Sequence, residues 1–231
     1  MRKFALVLTV LLSLSAGQAL ADSVVFTFDT GSGATNHSYQ FISALDVSLS
    51  YAEAAATVHQ LLDGTTGYLA TSISQQEEAF LVQSFAGTFL VGSGSVVNGH
   101  AHVWLGAADI SPFSGAADWR WVTGSVPGEN GDAASQFWSG GAPIVGGHAV
   151  GGSYTNWALG QPSGPAIESG LEWNNALNGT VVHSTWNDVS TDGIGISGYF
   201  VEFDSLNPIP EPTTALLLTF GLAGLGLRRR H

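Results

Sequence analysis

Trp186-Asn187-Asp188 follows Gln161-Pro162-Ser163 with 23 residues from Ser163 to Trp186, and Glu168 lies between them. The chemistry open to these residue types is coordination of a hard cation. Ca²⁺ takes six to eight oxygen ligands from carboxylates, amide carbonyls and backbone carbonyls. Asn187 and Asp188 supply an amide and a carboxylate side by side, and Gln161 and Ser163 can supply two more oxygens from a proline-stiffened loop. No lysine or arginine falls between residues 161 and 188 to compete for them.

Other chemistries find less support. The chain has no cysteine, so thiol nucleophiles, thiolate metal sites, iron–sulfur clusters and disulfides are all excluded. No Gly-x-Ser-x-Gly elbow and no phosphate-binding Gly-x-x-x-x-Gly-Lys occurs. A glycosidase needs two facing carboxylates, and nothing in the sequence selects such a pair, so no enzymatic activity is expected. Glu77-Glu78 reads as two acids in the first turn of a helix, where they favour its dipole. His100 and His102 would share one face of a strand, a spacing open to a transition metal but without an acidic neighbour in sequence.

Both ends of the chain read as processing signals. A basic start, Met1-Arg2-Lys3, precedes an apolar run and the small-x-small site Ala19-Leu20-Ala21, which predicts a secretory signal peptide over 1–21. At the other end Pro210-Glu211-Pro212 precedes the apolar stretch Ala215 to Leu227 and then Arg228-Arg229-Arg230. An apolar segment closed by basic residues reads as a transient membrane insertion with the arginines held cytoplasmic. The whole of 206–231 resembles the PEP-CTERM sorting tail of Gram-negative bacteria. That resemblance implies an exosortase partner, cleavage near Pro210-Glu211-Pro212, and a secreted or cell-surface product.

Processing sharpens the charge balance. Of 6 Lys+Arg and 18 Asp+Glu, only Arg120 and 17 acids lie in 22–209, a net charge of −16 with neutral histidines. Such a surface repels nucleic-acid phosphates, so no nucleic-acid partner is expected. It attracts cations. The length suits one domain able to bury a core without disulfides.

The elements that must position the oxygen-rich segments can be read in outline. Val24 to Phe28 and Tyr39-Gln40-Phe41-Ile42 are β-formers on either side of a turn at Gly31-Ser32-Gly33. Ser50 with Glu53, and Ser74 with Glu77, form capping-box patterns that predict two helices. Tyr51, Ala55, Val58 and Leu62 give the first an apolar face that ends at Asp63-Gly64. Ala79, Val82 and Ala86 give the second its face, and Tyr68-Leu69-Ala70 links the two. All seven tryptophans lie between Trp104 and Trp186. Val103-Trp104-Leu105-Gly106, Trp119-Arg120-Trp121-Val122 and Tyr199 to Phe203 read as strands, separated by loops long enough over 128–185 to suggest function.

In this order the segments Ser50–Phe80, Trp104-Leu105-Gly106, Trp119-Arg120-Trp121, Tyr154-Thr155-Asn156-Trp157, Gln161-Pro162, Trp186-Asn187-Asp188 and Tyr199–Phe203 resemble a C-type lectin-like domain. The resemblance implies an α+β fold in which two helices flank small antiparallel sheets with a long loop region, here without disulfides. It implies a domain over 39–205, with 22–38 as an N-terminal extension. It also pairs Tyr39–Ala44 with Gly198–Asp204 as the base of the domain. It assigns Gln161, Glu168, Asn187 and Asp188 as Ca²⁺ ligands, with Glu172 as a further carboxylate, and a cis Gln161–Pro162 bond. Gln161 matches the galactose-type form of the motif, Ser163 matches neither sugar type, and Gly170 stands where the family has a cysteine. Ser163, Trp157 and Trp173 are the expected sugar contacts, and the amide nitrogens of Asn187 and Gln161 the expected donors. Ligand charge of this kind implies weak calcium binding, with Kd on the order of 10⁻⁴–10⁻³ M. The function implied is calcium-dependent binding of a carbohydrate such as an exopolysaccharide. The alternative is a calcium-independent structural or protein-binding component of the extracellular matrix.

Overall fold

The computed structural model describes residues 25–29, 36–61, 64–90, 100–113, 117–124, 135–163, 167–178 and 181–205. The expected signal peptide, the turn at Gly31-Ser32-Gly33 and the sorting residues Pro210, Glu211 and Pro212 lie outside these.

The described chain is α+β, as the sequence predicts. Two helices, α1 (Leu49–Ala56) and α2 (Gln75–Leu90), accompany ten strands. The strands are β1 (Val25–Asp29), β2 (Asn36–Ser43), β3 (Tyr68–Leu69), β4 (His100–Asp109), β5 (Asp118–Trp121), β6 (Gln136–Ser139), β7 (His148–Ala149), β8 (Gly170–Asn178), β9 (Val181–Val189) and β10 (Gly198–Ser205). They join in the order β1-β2-β10-β4-β5-β6-β7, with β3 on β10, and with the β8–β9 hairpin branching from β4.

The base forms as expected. β2 and β10 pair antiparallel from Ser43↔Gly198 to Asn36↔Ser205. β10 then runs parallel to β4 at Gly198↔Val103 and Tyr199↔Trp104, which connects the base to the rest of the sheet. The segment read as an N-terminal extension is part of the domain: β1 pairs along β2, and Phe26 and Phe28 set their rings against Phe85 and Phe80 of α2. The domain therefore starts well before residue 39.

Helix limits and faces depart from the sequence reading. α1 is capped by Ser48, whose Oγ accepts from the Tyr51 amide, and it ends at Ala56 instead of running to Asp63. Its buried residues are Leu49, Ala52 and Ala56, while Tyr51 and Val58 face solvent. Small residues on this face allow close packing against β3, β4 and β10, which the bulkier alternation would not. Ser74 caps α2 as predicted, accepting from the Glu77 amide at 3.1 Å. Its buried face is Glu77, Glu78, Leu81 and Phe85, so two carboxylates occupy positions that hydrophobic periodicity assigns to the core edge. Tyr68-Leu69 is a strand, not a plain link, and Leu69 sits wholly inside.

Two apolar clusters form the core. One gathers Trp119, Trp121, Phe137, Trp138, Trp173 and Trp186 with Leu81, Phe85 and Phe200. The other places α1 against Trp104, Tyr199, Val201 and Phe203.

Candidate functional site

The hairpin of β8 and β9 is the platform of the site. Its register sets Leu171 opposite Asp188, Glu172 opposite Asn187 and Trp173 opposite Trp186. Alternation then divides the strands: Trp173 and Trp186 turn inward to the aromatic core, which leaves Glu172 and Asn187 sharing the other face.

The proline loop is laid across β9 by its backbone. The Trp186 amide donates to Asn156 O at 2.7 Å, and the Ala158 amide returns the bond to Trp186 O at 2.8 Å. Asn156 Nδ2 adds a bond to Ser184 O at 3.2 Å. A turn follows, with the Gln161 amide on Ala158 O, and the Gln161–Pro162 bond is cis as expected. The Ser163 amide then donates to Asp188 Oδ1 at 3.0 Å. Ser163 thus serves the site through its main chain, while its residue is exposed. The closeness of Gly170 to the Trp104 ring leaves no room there for a side chain. A Cβ there would stand 2.7 Å from Trp104 Cζ3.

The electrostatics are those of crowded carboxylates. Burial, then the charges of Asp188 and Glu172, hold the Glu168 carboxyl above its ordinary value. Asp188 and Glu172 are themselves buried. In the adjoining proline loop, Gln161 Oε1 is buried without a hydrogen-bond partner among the described residues. A buried acceptor left unsatisfied costs about 1–3 kcal/mol. A partnerless amide oxygen in the loop whose Ser163 amide binds Asp188 fits the oxygen-donor set of a hard cation on chemical grounds.

The structure therefore brings Gln161, Ser163, Glu168, Asn187 and Asp188 into one neighbourhood. Two expected contacts do not join them. Trp173 is 0% exposed and its indole N–H donates to Glu78, so it offers no face to a sugar. Trp157 is half-buried among Trp119, Phe137, Trp138 and Trp186, and its Nε1 is buried without a partner. Its ring packs against the aromatic core, and only part of it is exposed. The expected Asn187 donor is also partly committed, because Asn187 Nδ2 donates to Glu172 Oε1 at 2.8 Å.

Glu172 and His102 are the residues that sequence reasoning placed least well. Glu172 Oε2 meets His102 Nδ1 at 3.0 Å, so His102 does have an acidic neighbour, supplied by strand pairing. Asn178-Gly179 was the available signal for the β8–β9 hairpin, which sets Glu172 opposite Asn187, but no local pattern reports the pairing of β8 with β4 that brings in His102.

A second cluster of ionisable groups lies between β2, α2 and β10. Donor atoms of His37, Glu77 and Glu202 fall within 4.8 Å of one another. His37 Nδ1 contacts Glu202 Oε1, and Tyr39 Oη donates to Glu77 Oε1. Glu202 Oε2 accepts from the Thr71 amide at 2.8 Å and from Thr71 Oγ1 at 3.0 Å. Burial and the charge of Glu202 raise Glu77 to about 8. Burial alone would lower His37, but the hydrogen bond and charge of Glu202, with Glu77 and Asp204, outweigh it and raise the imidazole to about 9. This cluster is an internally compensated knot of protons and carboxylates.

Comparison with known proteins adds to these observations. A PEP-CTERM protein-sorting motif is matched over residues 208–230. The chain is 30% identical over 170 residues to Halomucin of Haloquadratum walsbyi (strain DSM 16790 / HBSQ001), a match that covers 74% of this chain and 1% of that protein. The chain thus spans only about a hundredth of that relative's length. Among solved structures it is similar to the C-type lectin CEL-I from Cucumaria echinata, with TM-score 0.43 and 19% identity over 74% of this chain and 91% of that one. It is also similar to CEL-IV, with TM-score 0.37 and 16% identity over 73% of this chain and 86% of that one. The sorting motif indicates a secreted or cell-surface bacterial protein processed by an exosortase. Among the described residues, no helix is long and apolar enough to cross a membrane. With its paired terminal strands, two helices, and proline loop laid over the Trp186 strand, this is an α+β chain that carries a PEP-CTERM protein-sorting motif.

Proposed function

We propose that the chain is an exported carbohydrate-binding protein whose recognition depends on Ca²⁺ held by Gln161, Glu168, Asn187 and Asp188. The observation that carries this reading is the buried, partnerless Gln161 Oε1 in the same loop whose Ser163 amide binds Asp188, itself near enough to Glu168 to raise that carboxyl. Calcium, when bound, would satisfy that oxygen, relieve the repulsion and offer vacant coordination positions to vicinal sugar hydroxyls. The protein's own part is positional. The Ser163 amide fixes one oxygen of Asp188, and the bonds between Trp186 and the 156–158 segment hold the proline loop in register with it. An exopolysaccharide of the producing cell is the partner class we favour, on the surface of a Gram-negative bacterium.

Calorimetric titration of residues 22–209 with calcium, alongside Asp188→Ala, tests the reading. Saturable binding weakened at least about tenfold by the substitution is expected. Absence of binding at several millimolar calcium in folded protein would overturn it.

A second reading draws on the surface around the loop. Ile144, Val145, Leu159 and Ile167 are all exposed near the same segment. Val145 and the Pro162 carbonyl both lie against Gly141. An apolar rim of this kind suits a protein partner in an extracellular matrix. Competition by galactose, mannose or extracted polysaccharide separates the two: inhibition supports sugar recognition, and indifference to every sugar favours the protein partner.

A further inference from the structure

Glu172 lies between two side chains from neighbouring strands. Its Oε1 accepts from Asn187 Nδ2 at 2.8 Å and its Oε2 meets His102 Nδ1 at 3.0 Å. Register explains the arrangement, since β8 runs between β4 and β9 with Glu172 opposite Trp104 on one side and Asn187 on the other. Glu172 is 2% exposed, so neither oxygen is free to swing into solvent.

An ionised carboxylate only accepts hydrogen bonds, whereas an amide has a donating and an accepting end. Asn187 must therefore present its NH₂ to Glu172 and turn its Oδ1 away. A hard cation needs the opposite end of the amide, the oxygen. With both carboxylate oxygens already engaged, Glu172 is poorly placed as a ligand in its own right.

We propose that Glu172, braced by His102, is a positioning residue that turns the Asn187 amide so that Oδ1 is the atom offered to a bound cation. This rests on the cation-binding reading above. It reassigns Glu172 from a further carboxylate ligand to a group acting through Asn187. It also gives His102 a role: the imidazole fixes the rotation of the carboxylate that fixes the amide.

Two variants separate positioning from ligation. In Glu172→Gln the new amide oxygen can still accept from Asn187, while its NH₂ can donate to the His102 ring. In Glu172→Ala nothing holds the amide. Partners that orient metal ligands are typically worth 10–100-fold in affinity, so Glu172→Ala should weaken calcium binding by about tenfold or more. Glu172→Gln should stay within about threefold of wild type, because it preserves the orienting bond. Equal losses in both variants, or a loss in neither, would overturn the proposal. A second readout needs no calcium. In ¹⁵N-labelled protein the Asn187 side-chain NH₂ should be protected from solvent exchange in wild type and Glu172→Gln, and lose protection in Glu172→Ala. Unchanged protection in the alanine variant sinks the proposal even if calcium binds. Conversely, wild-type protein that fails to bind calcium overturns the function proposed above, while the exchange measurement still decides the orienting bond.

Discussion

Two acid clusters in this molecule use the same residue types to different ends. Between β2, α2 and β10, Glu77 and Glu202 meet His37, Tyr39 and Thr71, and the hydrogen bonds close on themselves. Around the proline loop, Asp188 and Glu172 act on the Glu168 carboxyl, and in the loop itself the Gln161 oxygen has no donor among the described residues. Buried carboxylates are thus no sign of a binding site by themselves. The two regions differ in their accounting of donors: the first cluster supplies its own, and the loop region leaves the Gln161 oxygen without one among the described residues. Burial makes that difference consequential, because a buried polar group without a partner is expensive.

The comparison breaks most sharply if the first cluster proves dispensable. Glu202→Ala would strand the Thr71 amide and Thr71 Oγ1 and take from His37 its main carboxylate partner, leaving it Asp204. Removing one partner from a buried ionic network costs roughly 3–5 kcal/mol. Urea denaturation should show a loss of that order, and a loss under about 1 kcal/mol would mean the network contributes little.

Proton linkage gives the next effect. Folding raises His37 from 6.5 to about 9 and Glu77 from 4.5 to about 8, so the native state holds protons that the unfolded chain releases. Stability from both groups is fully present below their unfolded values and is lost as pH rises through the folded ones. The protein should therefore weaken between about pH 5 and 9, by a few kcal/mol in order of magnitude, instead of being acid-labile. Melting temperature against pH checks the sign, and His37→Gln should flatten the upper part of the profile.

At the proline loop the prediction reverses. Glu168 is only half-buried and no hydrogen bond ties it into the core among the described residues, so Glu168→Gln should alter stability by no more than about 0.5 kcal/mol. It should nonetheless weaken calcium binding severalfold, read by the same titration. A large loss of stability with unchanged binding would make Glu168 another structural acid.

A local effect addresses how the first helix is positioned. Ser48 caps α1, so Ser48→Ala should cost about 1 kcal/mol and Ser50→Ala much less. The capping-box pattern pointed to Ser50, two residues late. Both serines are chemically competent caps, and their hydroxyls lie 3.2 Å apart. Main-chain bonding of the Leu49 amide to Thr191 O is a tertiary contact that no local pattern reports.

Much of the frame was legible in the chain. The β-forming runs at both ends of the domain, the Ser74 cap of α2, the strand around Trp104-Leu105-Gly106 and the Gln161-Pro162 and Trp186-Asn187-Asp188 segments all stand where local propensity and order put them. These are properties of neighbouring residues, which a sequence records directly. Tertiary structure decided the rest. Strand register placed Glu172 between His102 and Asn187, burial took Trp173 away from the surface, and packing of α2 turned Glu77 and Glu78 from helix-dipole acids into core hydrogen-bond acceptors. Hydrogen bonds between residues 70 to 165 positions apart depend on how strands align and faces turn, and a one-residue change of register would reverse them.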